Sequence, residues 1–97
     1  MSNTVSQKVD FTTNIPSGTD FNNVKKSGFY RITDVSTKFK NCPAACNYGQ
    51  LLVIRGQDTI AQLAFDYTNS TMFYLRTGVV DNPNGDSWRS WSTFKSS

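Results

Sequence analysis

Apolar and polar residues alternate along the second half of the chain with the period of two that is typical of β-strands. The pattern predicts four consecutive strands at residues 50–55, 59–67, 72–77 and 87–94, separated by short polar segments. The first of them, Leu51-Leu52-Val53-Ile54, is apolar on both faces, which predicts the central strand of the sheet. Together they predict a short antiparallel meander.

The first half of the chain is less regular. Residues 1–17 are mostly polar and predict either a flexible leader or an arm that pairs with a neighbouring chain. Thr19 or Asp20 can cap a single helical turn over residues 21–24, and residues 29–35 alternate as a strand. We therefore expect a mainly β fold, a small antiparallel meander or sandwich-like knob at 18–97 with one short N-terminal helical turn.

Length and composition narrow the function classes. Ninety-seven residues make one domain with one core and little room for a cofactor-sized cavity. Six Lys and four Arg give a net charge of +3 without a dense basic stripe, which does not favour nucleic-acid binding. The sequence has no run of about 20 apolar residues and no apolar signal-peptide segment at its start. The expectation is a chain made in a cytoplasm without a signal peptide, or a fragment.

Catalysis and metal binding are not favoured. The chain has no His and no Glu, so its seven acids are all Asp and the commonest general base is missing. Asp58, Asp66, Asp81 and Asp86 are candidate acids by type, but their spacing indicates no pair. The Asp-rich turn lacks the closing Glu of a calcium loop. We predict no enzyme activity, no cofactor and no metal site.

Two cysteines flank the irregular segment around Pro43. Cys42 and Cys46 are too few for a zinc site without His. A local Cys42–Cys46 disulfide is sterically possible and would form only outside a reducing cytoplasm. A disulfide and two free thiols both remain open from the sequence.

A tryptophan pair provides the strongest candidate for ligand binding. If residues 87–94 form one regular strand, Trp88 and Trp91 face opposite ways, so one packs inward and the other faces solvent. We expect Trp91 to be the packed one and Trp88 to offer its ring to a sugar. The alternative is that both are buried in the core or between subunits.

Polar residues close to Trp88 complete a predicted glycan site. Arg76 offers a planar fork of donors on the same face as Tyr74, or else ties down the turn that follows it. The polar turn at 81–86 either is structural or contacts a glycan directly. The predicted ligand residues are Trp88, Arg89, Arg76, Tyr74, Asn82, Asn84 and Asp86.

Seven short motifs occur in an order that resembles one known family. They are Asp20-Phe21-Asn22, Ser27-Gly28-Phe29-Tyr30-Arg31-Ile32, Pro43, Gly49-Gln50-Leu51-Leu52-Val53-Ile54, Ala61-Gln62-Leu63-Ala64, Phe73-Tyr74-Leu75-Arg76-Thr77 and Trp88-Arg89-Ser90-Trp91. In this order, across residues 18–94, the chain resembles the pyocin-knob domain of phage tail fibres and R-type pyocin fibres. The pair of cysteines around Pro43 departs from the family pattern.

The resemblance implies a small β-rich knob, part of a homotrimeric fibre or tail tip that takes part in host attachment. We therefore expect a non-enzymatic virion component that binds a bacterial surface polysaccharide as a multimer, without nucleic-acid contact or membrane insertion. The alternative is a structural spacer or trimerisation element whose fibre binds the receptor elsewhere.

Overall fold

The computed structural model describes residues 12–96, which form a mainly β fold with a seven-stranded mixed sheet. In chain order the strands are β1 (Thr12–Ile15), β2 (Gly28–Ile32), β3 (Gln50–Arg55), β4 (Thr59–Phe65), β5 (Met72–Val79), β6 (Ser87–Trp88) and β7 (Ser92–Lys95). Two short 3-10 turns, Phe21–Asn23 and Ser36–Lys38, are the helical elements of this part of the chain. The predicted mainly β class is confirmed.

The sheet follows the predicted meander from β2 onwards. Strands β2 to β5 pair antiparallel in sequence order, and β5 then pairs with both β6 and β7 along its length. One pair departs from the pattern, because β1 lies parallel to β2, with Thr12 opposite Phe29. The sheet therefore begins inside the segment at 1–17 that the sequence assigns to a leader or an arm. Residues 1–11 of that segment lie outside the described residues.

The prediction of one strand over residues 87–94 is wrong. The segment forms β6 and β7, with Arg89-Ser90-Trp91 as an irregular connection between them. The strict alternation of side chains is interrupted at this connection, which changes the direction of Trp91 relative to Trp88.

The helical turn forms where the sequence predicts it. Asp20 adopts an extended conformation and its side chain accepts a hydrogen bond from the backbone N–H of Asn22 at 2.8 Å. This is the usual N-cap contact, in which a short acidic side chain satisfies a backbone donor that the helix leaves free. The turn places Phe21 against the sheet, where its side chain is fully buried.

One face of the sheet carries the hydrophobic core. Alternate strand residues point to this covered face, and the two 3-10 turns and the connecting loops pack on it. The buried apolar residues are Ile15, Phe21, Val24, Ile32, Phe39, Cys46, Leu51, Val53, Ile60, Ala64, Tyr74 and Val80. Within residues 12–96 the fold is thus one sheet covered on one side by loops, and not two facing sheets.

The opposite face, here called the open face, is formed by the other set of alternate strand residues. It includes Phe29, Leu52, Ile54, Ala61, Leu63, Phe65, Phe73, Leu75 and Phe94. Four of these side chains are among the exposed large hydrophobic residues of the structure. None of the helices in the described part of the chain is long and apolar enough to span a membrane.

Candidate functional site

Arg76 is the centre of the most unusual side-chain cluster of the structure. Its side chain lies on the covered face of β5 and is only 5% exposed. The guanidinium carbon lies 4.0 Å from the ring centroid of Trp88 and 4.8 Å from that of Trp91. Both distances are in the range of cation–π contacts, so two indoles hold one buried cation.

Gln62 connects this cluster to the helical turn. Arg76 Nε donates a hydrogen bond to Gln62 Oε1 at 2.8 Å. Gln62 Nε2 in turn donates to the carbonyl oxygens of Phe21 and Val24, both at 2.9 Å. The fully buried amide therefore satisfies two carbonyls at the end of the turn, and Arg76 fixes which way the amide points.

The electrostatics of Arg76 are those of a buried cation without a carboxylate bonded to it. Burial lowers the pKa of Arg76 to about 10, while the charges of Asp20 and of Cys42 act in the opposite direction. Two buried donors, Arg76 Nη2 and Trp88 Nε1, have no hydrogen-bond partner among the described residues. The stack of indoles and guanidinium thus stabilises the charge more through the rings than through paired donors.

This arrangement changes the site that the sequence predicts. The predicted ligand contact of Arg76 needs a guanidinium that is open to solvent, but β5 directs the side chain into the covered face. Trp88 is half-buried on top of Arg76, so its ring is engaged by a cation and not free on that side. Tyr74 lies on the same face as predicted but is 5% exposed, and its hydroxyl contacts Met72 Sδ at 3.6 Å.

Trp91 is also half-buried rather than fully packed. Its indole lies edge-on to Phe21, with 6.4 Å between ring centroids, and Nε1 donates to the carbonyl oxygen of Asn41 at 2.9 Å. The expectation that Trp88 and Trp91 face opposite ways is wrong, since both rings contact Arg76. The physical reason is the irregular connection between β6 and β7.

The polar turn at 81–86 is held by cations other than Arg76. Lys25 Nζ contacts Asp81 Oδ1 at 3.2 Å and Asp86 Oδ2 at 2.8 Å, and Arg55 also pairs with Asp81. These contacts lower the pKa values of both carboxyl groups, Arg55 being the largest cause at Asp81 and Lys25 at Asp86. Asn82 Oδ1 accepts from the backbone N–H of Asn84 at 2.9 Å, so the turn also bonds to itself.

Arg89, like Asn84 and Asp86 of the polar turn, stays exposed. Its backbone N–H bonds to Thr77 O at 2.9 Å, which places it opposite Thr77 on the open face. There it lines a groove of about 560 Å³ at the end of the sheet, together with Thr59 and Ser87. The predicted site residues are therefore divided among three places: the covered face, the open face and the polar turn.

The two cysteines are free thiols. Cys42 Sγ donates to the carbonyl oxygen of Ser36 at 3.2 Å, and Cys46 is buried in the core. Burial raises the pKa of Cys46 to about 12, with the charges of Asp66 and Cys42 adding to the effect. Both thiols pack as small apolar groups with low reactivity.

A groove beside Trp91, here called the Trp91 groove, lies on the covered face at its β7 edge. It has a volume of about 410 Å³ between the loop at 42–45 and β7. Its walls combine the indole of Trp91 with Pro43, Met72, Tyr74, Thr93 and Lys95. Register explains the combination, because Thr93 and Lys95 lie opposite Tyr74 and Met72.

Thr93 and Lys95 are not among the ligand residues that the sequence predicts. Lys95 is exposed and takes part in no ion pair among residues 12–96. Alternation along a short last strand indicates that both point to one face, but only when that strand begins at Ser92, and the pattern at 87–94 predicts a longer one. Within the described residues no three His, Cys, Asp or Glu side chains form a group that could hold a metal ion.

Comparison with known proteins adds no relative to this description. Neither a protein-family model, nor a curated protein, nor a solved structure matches the chain.

Proposed function

We propose that this chain is a non-enzymatic knob of a phage-type tail fibre or tail tip, which attaches to a bacterial surface glycan as part of a multimer. The sugar would lie in the Trp91 groove and not on Trp88 and Arg76, where the sequence analysis placed it. The fibre context rests on the motif order from residue 18 to residue 94, and its place would be the virion.

The observation that carries the proposal is the composition of the Trp91 groove. The half-buried indole of Trp91, with Met72 beside it, provides apolar surface for the carbon-bound face of a pyranose ring. The Thr93 hydroxyl and the Lys95 ammonium provide hydrogen-bond donors at the same edge. An unpaired ammonium favours an acidic sugar, in keeping with the net charge of +3.

Contacts behind the groove explain how the Trp91 indole is held in place. Trp91 is fixed by its bond to Asn41 and by the Arg76 guanidinium, so it loses little side-chain freedom when a ligand binds. A shallow groove of this size would bind one sugar weakly, and a multimer would raise the effective affinity through several equal sites.

The carboxylates support a binding role rather than hydrolysis. Asp66 accepts hydrogen bonds from Asn47 and Thr68, and Asp81 and Asp86 are paired with cations. None of these three acids lines the Trp91 groove. A glycosidase needs two carboxyl groups across the bond it cleaves, and the groove offers a lysine and a hydroxyl instead.

A panel of immobilised bacterial polysaccharides tests the proposal. The wild-type chain should bind at least one acidic polysaccharide, and Lys95→Ala should reduce that binding at least tenfold because the ammonium is lost. Ala45→Trp should reduce it similarly by filling the groove. Both variants should keep the wild-type melting temperature, since both side chains are exposed.

Two matched substitutions outside the groove serve as controls. Lys38→Ala and Thr37→Trp change exposed residues of the second 3-10 turn and should bind like the wild type. Binding of no polysaccharide by the wild type, or equal binding by the groove variants, would refute the site.

A structural spacer or trimerisation element remains the second candidate. The open face favours it, because an apolar sheet surface suits contact with other chains whether or not a glycan binds. In that case the receptor of the fibre would be bound by another part of the assembly, and the polysaccharide panel would give no signal.

A further inference from the structure

We infer that the open face of the sheet is the surface through which copies of this chain pack on one another. The inference deepens the proposed function, because it gives the multimer a specific surface. It rests on the sheet alone, so it can be tested separately from glycan binding.

Strand register arranges the open face in rows that run across the sheet. One row holds Phe29, Leu52, Leu63 and Leu75 on β2 to β5. The row towards one end holds Ile54, Ala61 and Thr77, and the row towards the other end holds Gln50, Phe65, Phe73 and Phe94. Nine apolar side chains thus form one continuous surface.

Three side chains of this surface are left exposed by the rest of residues 12–96. Ile54 is 54% exposed, Phe94 44% and Phe65 37%. An antiparallel sheet with one face in water normally alternates apolar and polar residues, so that the wet face is polar. Here β3 is apolar on both faces at residues 51–54, and β4 is apolar on the open face at Ala61, Leu63 and Phe65, which is the pattern of strands whose open face is also buried.

The aromatic end of the face is already ordered for packing. Phe73 stacks on Phe94 with 5.2 Å between ring centroids and 14° between ring planes, and Phe65 lies 5.9 Å from Phe73. Rings held in this way lose little rotamer freedom on contact with a second surface. Aromatic side chains of this kind are enriched at the centre of protein interfaces.

Charge is confined to the periphery of the face. Register places Arg31 on this face of β2, next to Gln50. Arg89 lies at the opposite side of the face, next to Thr77. The strand positions of β3, β4 and β5 on this face carry neither Asp nor Lys. An apolar centre with a polar and cationic rim is the usual anatomy of a specific protein interface.

The size of the face suits a second copy of the chain. Five strands about 4.8 Å apart and three rows about 7 Å apart cover a footprint on the order of 500 Å² before side-chain relief is counted. Typical interfaces bury about 800 Å² on each partner, and the polar rim brings the face close to that size.

A second sheet is the natural occupant for geometric reasons. Two twisted sheets pack face to face about 10 Å apart with their strands rotated by about 30°, and their side chains interdigitate. A second copy supplies such a sheet with the same composition. The pairing gives each copy the second layer that a β-domain needs to bury both faces.

Light scattering on the full chain tests this inference. At about 100 µM the wild-type mass should be a multiple of the 10.9 kDa chain. The double variant Ile54→Lys/Phe65→Lys should weaken association at least 100-fold and give the mass of one chain, because lysines cannot be buried unpaired between two sheets. Both side chains are already exposed in the single chain, so its fold should be kept in far-UV circular dichroism.

Tyr67→Lys is the matched control, since Tyr67 is 77% exposed but lies in the turn after β4, outside the rows. It should keep the wild-type mass. If the lysine variant loses its β-sheet signal, the double variant Ile54→Thr/Leu63→Thr takes its place in the mass measurement, because threonine is a good strand former. A wild-type chain that stays single, or variants that associate like the wild type, would overturn the inference.

The outcomes also separate the two proposals. A single-chain mass with polysaccharide binding intact would refute the assembly surface and support the Trp91 groove as the glycan site. A multimer that binds no polysaccharide would support the assembly surface and refute the glycan site.

Discussion

At the scale of single residues, the role of Arg76 is not evident from its residue type. An arginine at the end of a predicted strand, on the same face as Tyr74, suggested a ligand contact. In the structure its charge is enclosed by the rings of Trp88 and Trp91, and its Nε orients Gln62. The cluster is structural in each contact that it makes among the described residues.

Arg76→Lys should lower the free energy of unfolding by about 2–4 kcal/mol. A lysine keeps the charge but loses the planar stack, and its more strongly hydrated ammonium costs more to bury. Urea denaturation monitored by tryptophan fluorescence measures the change.

The matched control is Arg89→Lys, which alters an exposed arginine and should change the free energy of unfolding by no more than about 0.5 kcal/mol. Equal effects at Arg76 and Arg89 would show that the stack contributes nothing particular to stability.

At the scale of elements, the pairing of β3 with β4 depends on a close backbone approach. Gly49, just before β3, lies against Phe65 at the end of β4. A Cβ added to Gly49 would overlap the carbonyl oxygen of Phe65, whereas a Cβ on Gly28 would make ordinary contacts of 3.6 Å with the Tyr30 ring. Gly49 O also accepts the hydrogen bond from Ile32 N at 2.8 Å, so the backbone cannot shift freely.

Gly49→Ala should therefore destabilise the protein by at least about 3 kcal/mol, because strand backbone must move to make room. Gly28→Ala should stay within about 1 kcal/mol of the wild type. Thermal melts of the two variants compare the positions directly. Equal melting temperatures for Gly49→Ala and Gly28→Ala would contradict the close approach of Gly49 to Phe65.

The sequence predicted most elements, and the exceptions have local causes. Strand β3 begins and ends at the predicted residues, and β4 and β5 differ only at their ends. The turn after Asp20 also lies where capping predicts it. The strand at 87–94 failed because alternation over eight residues concealed the irregular connection at Arg89-Ser90-Trp91, which no Gly or Pro marks.

The candidate site was less predictable than the elements. The sequence indicated that Tyr74 and Arg76 share a face, which register bears out, but not that this face is the covered one. Which face is covered depends on the 3-10 turns and loops that place Phe21, Val24 and Phe39 against the sheet. Those contacts join residues far apart in the chain.

For the whole molecule, the two faces of the sheet divide the proposed roles. The covered face holds the core and, at its β7 edge, the Trp91 groove. The open face holds the apolar rows. A molecule built in this way could associate through one face and keep the groove accessible on the other, which is the arrangement that multivalent attachment requires.

Self-association through the open face also predicts a melting temperature that depends on protein concentration. A tenfold rise in concentration should raise the wild-type melting temperature by a few degrees, because assembly stabilises the folded state by mass action. Differential scanning fluorimetry from about 2 to 200 µM measures this.

The Ile54→Lys/Phe65→Lys variant should melt at the same temperature across that range, and Tyr67→Lys should behave like the wild type. A wild-type melting temperature that is independent of concentration would argue against stable assembly.

By itself, the order of apolar and polar residues determined strands β2 to β5, their sequential antiparallel pairing and the capped turn, because these depend on neighbours within a few residues. It also marked β3 as apolar on both sides, which is the pattern of a central strand. Only the tertiary structure decided that loops cover one face and leave the other open. It also decided that Trp88 and Trp91 enclose Arg76, because that contact depends on an irregular connection and on a strand from elsewhere in the sheet.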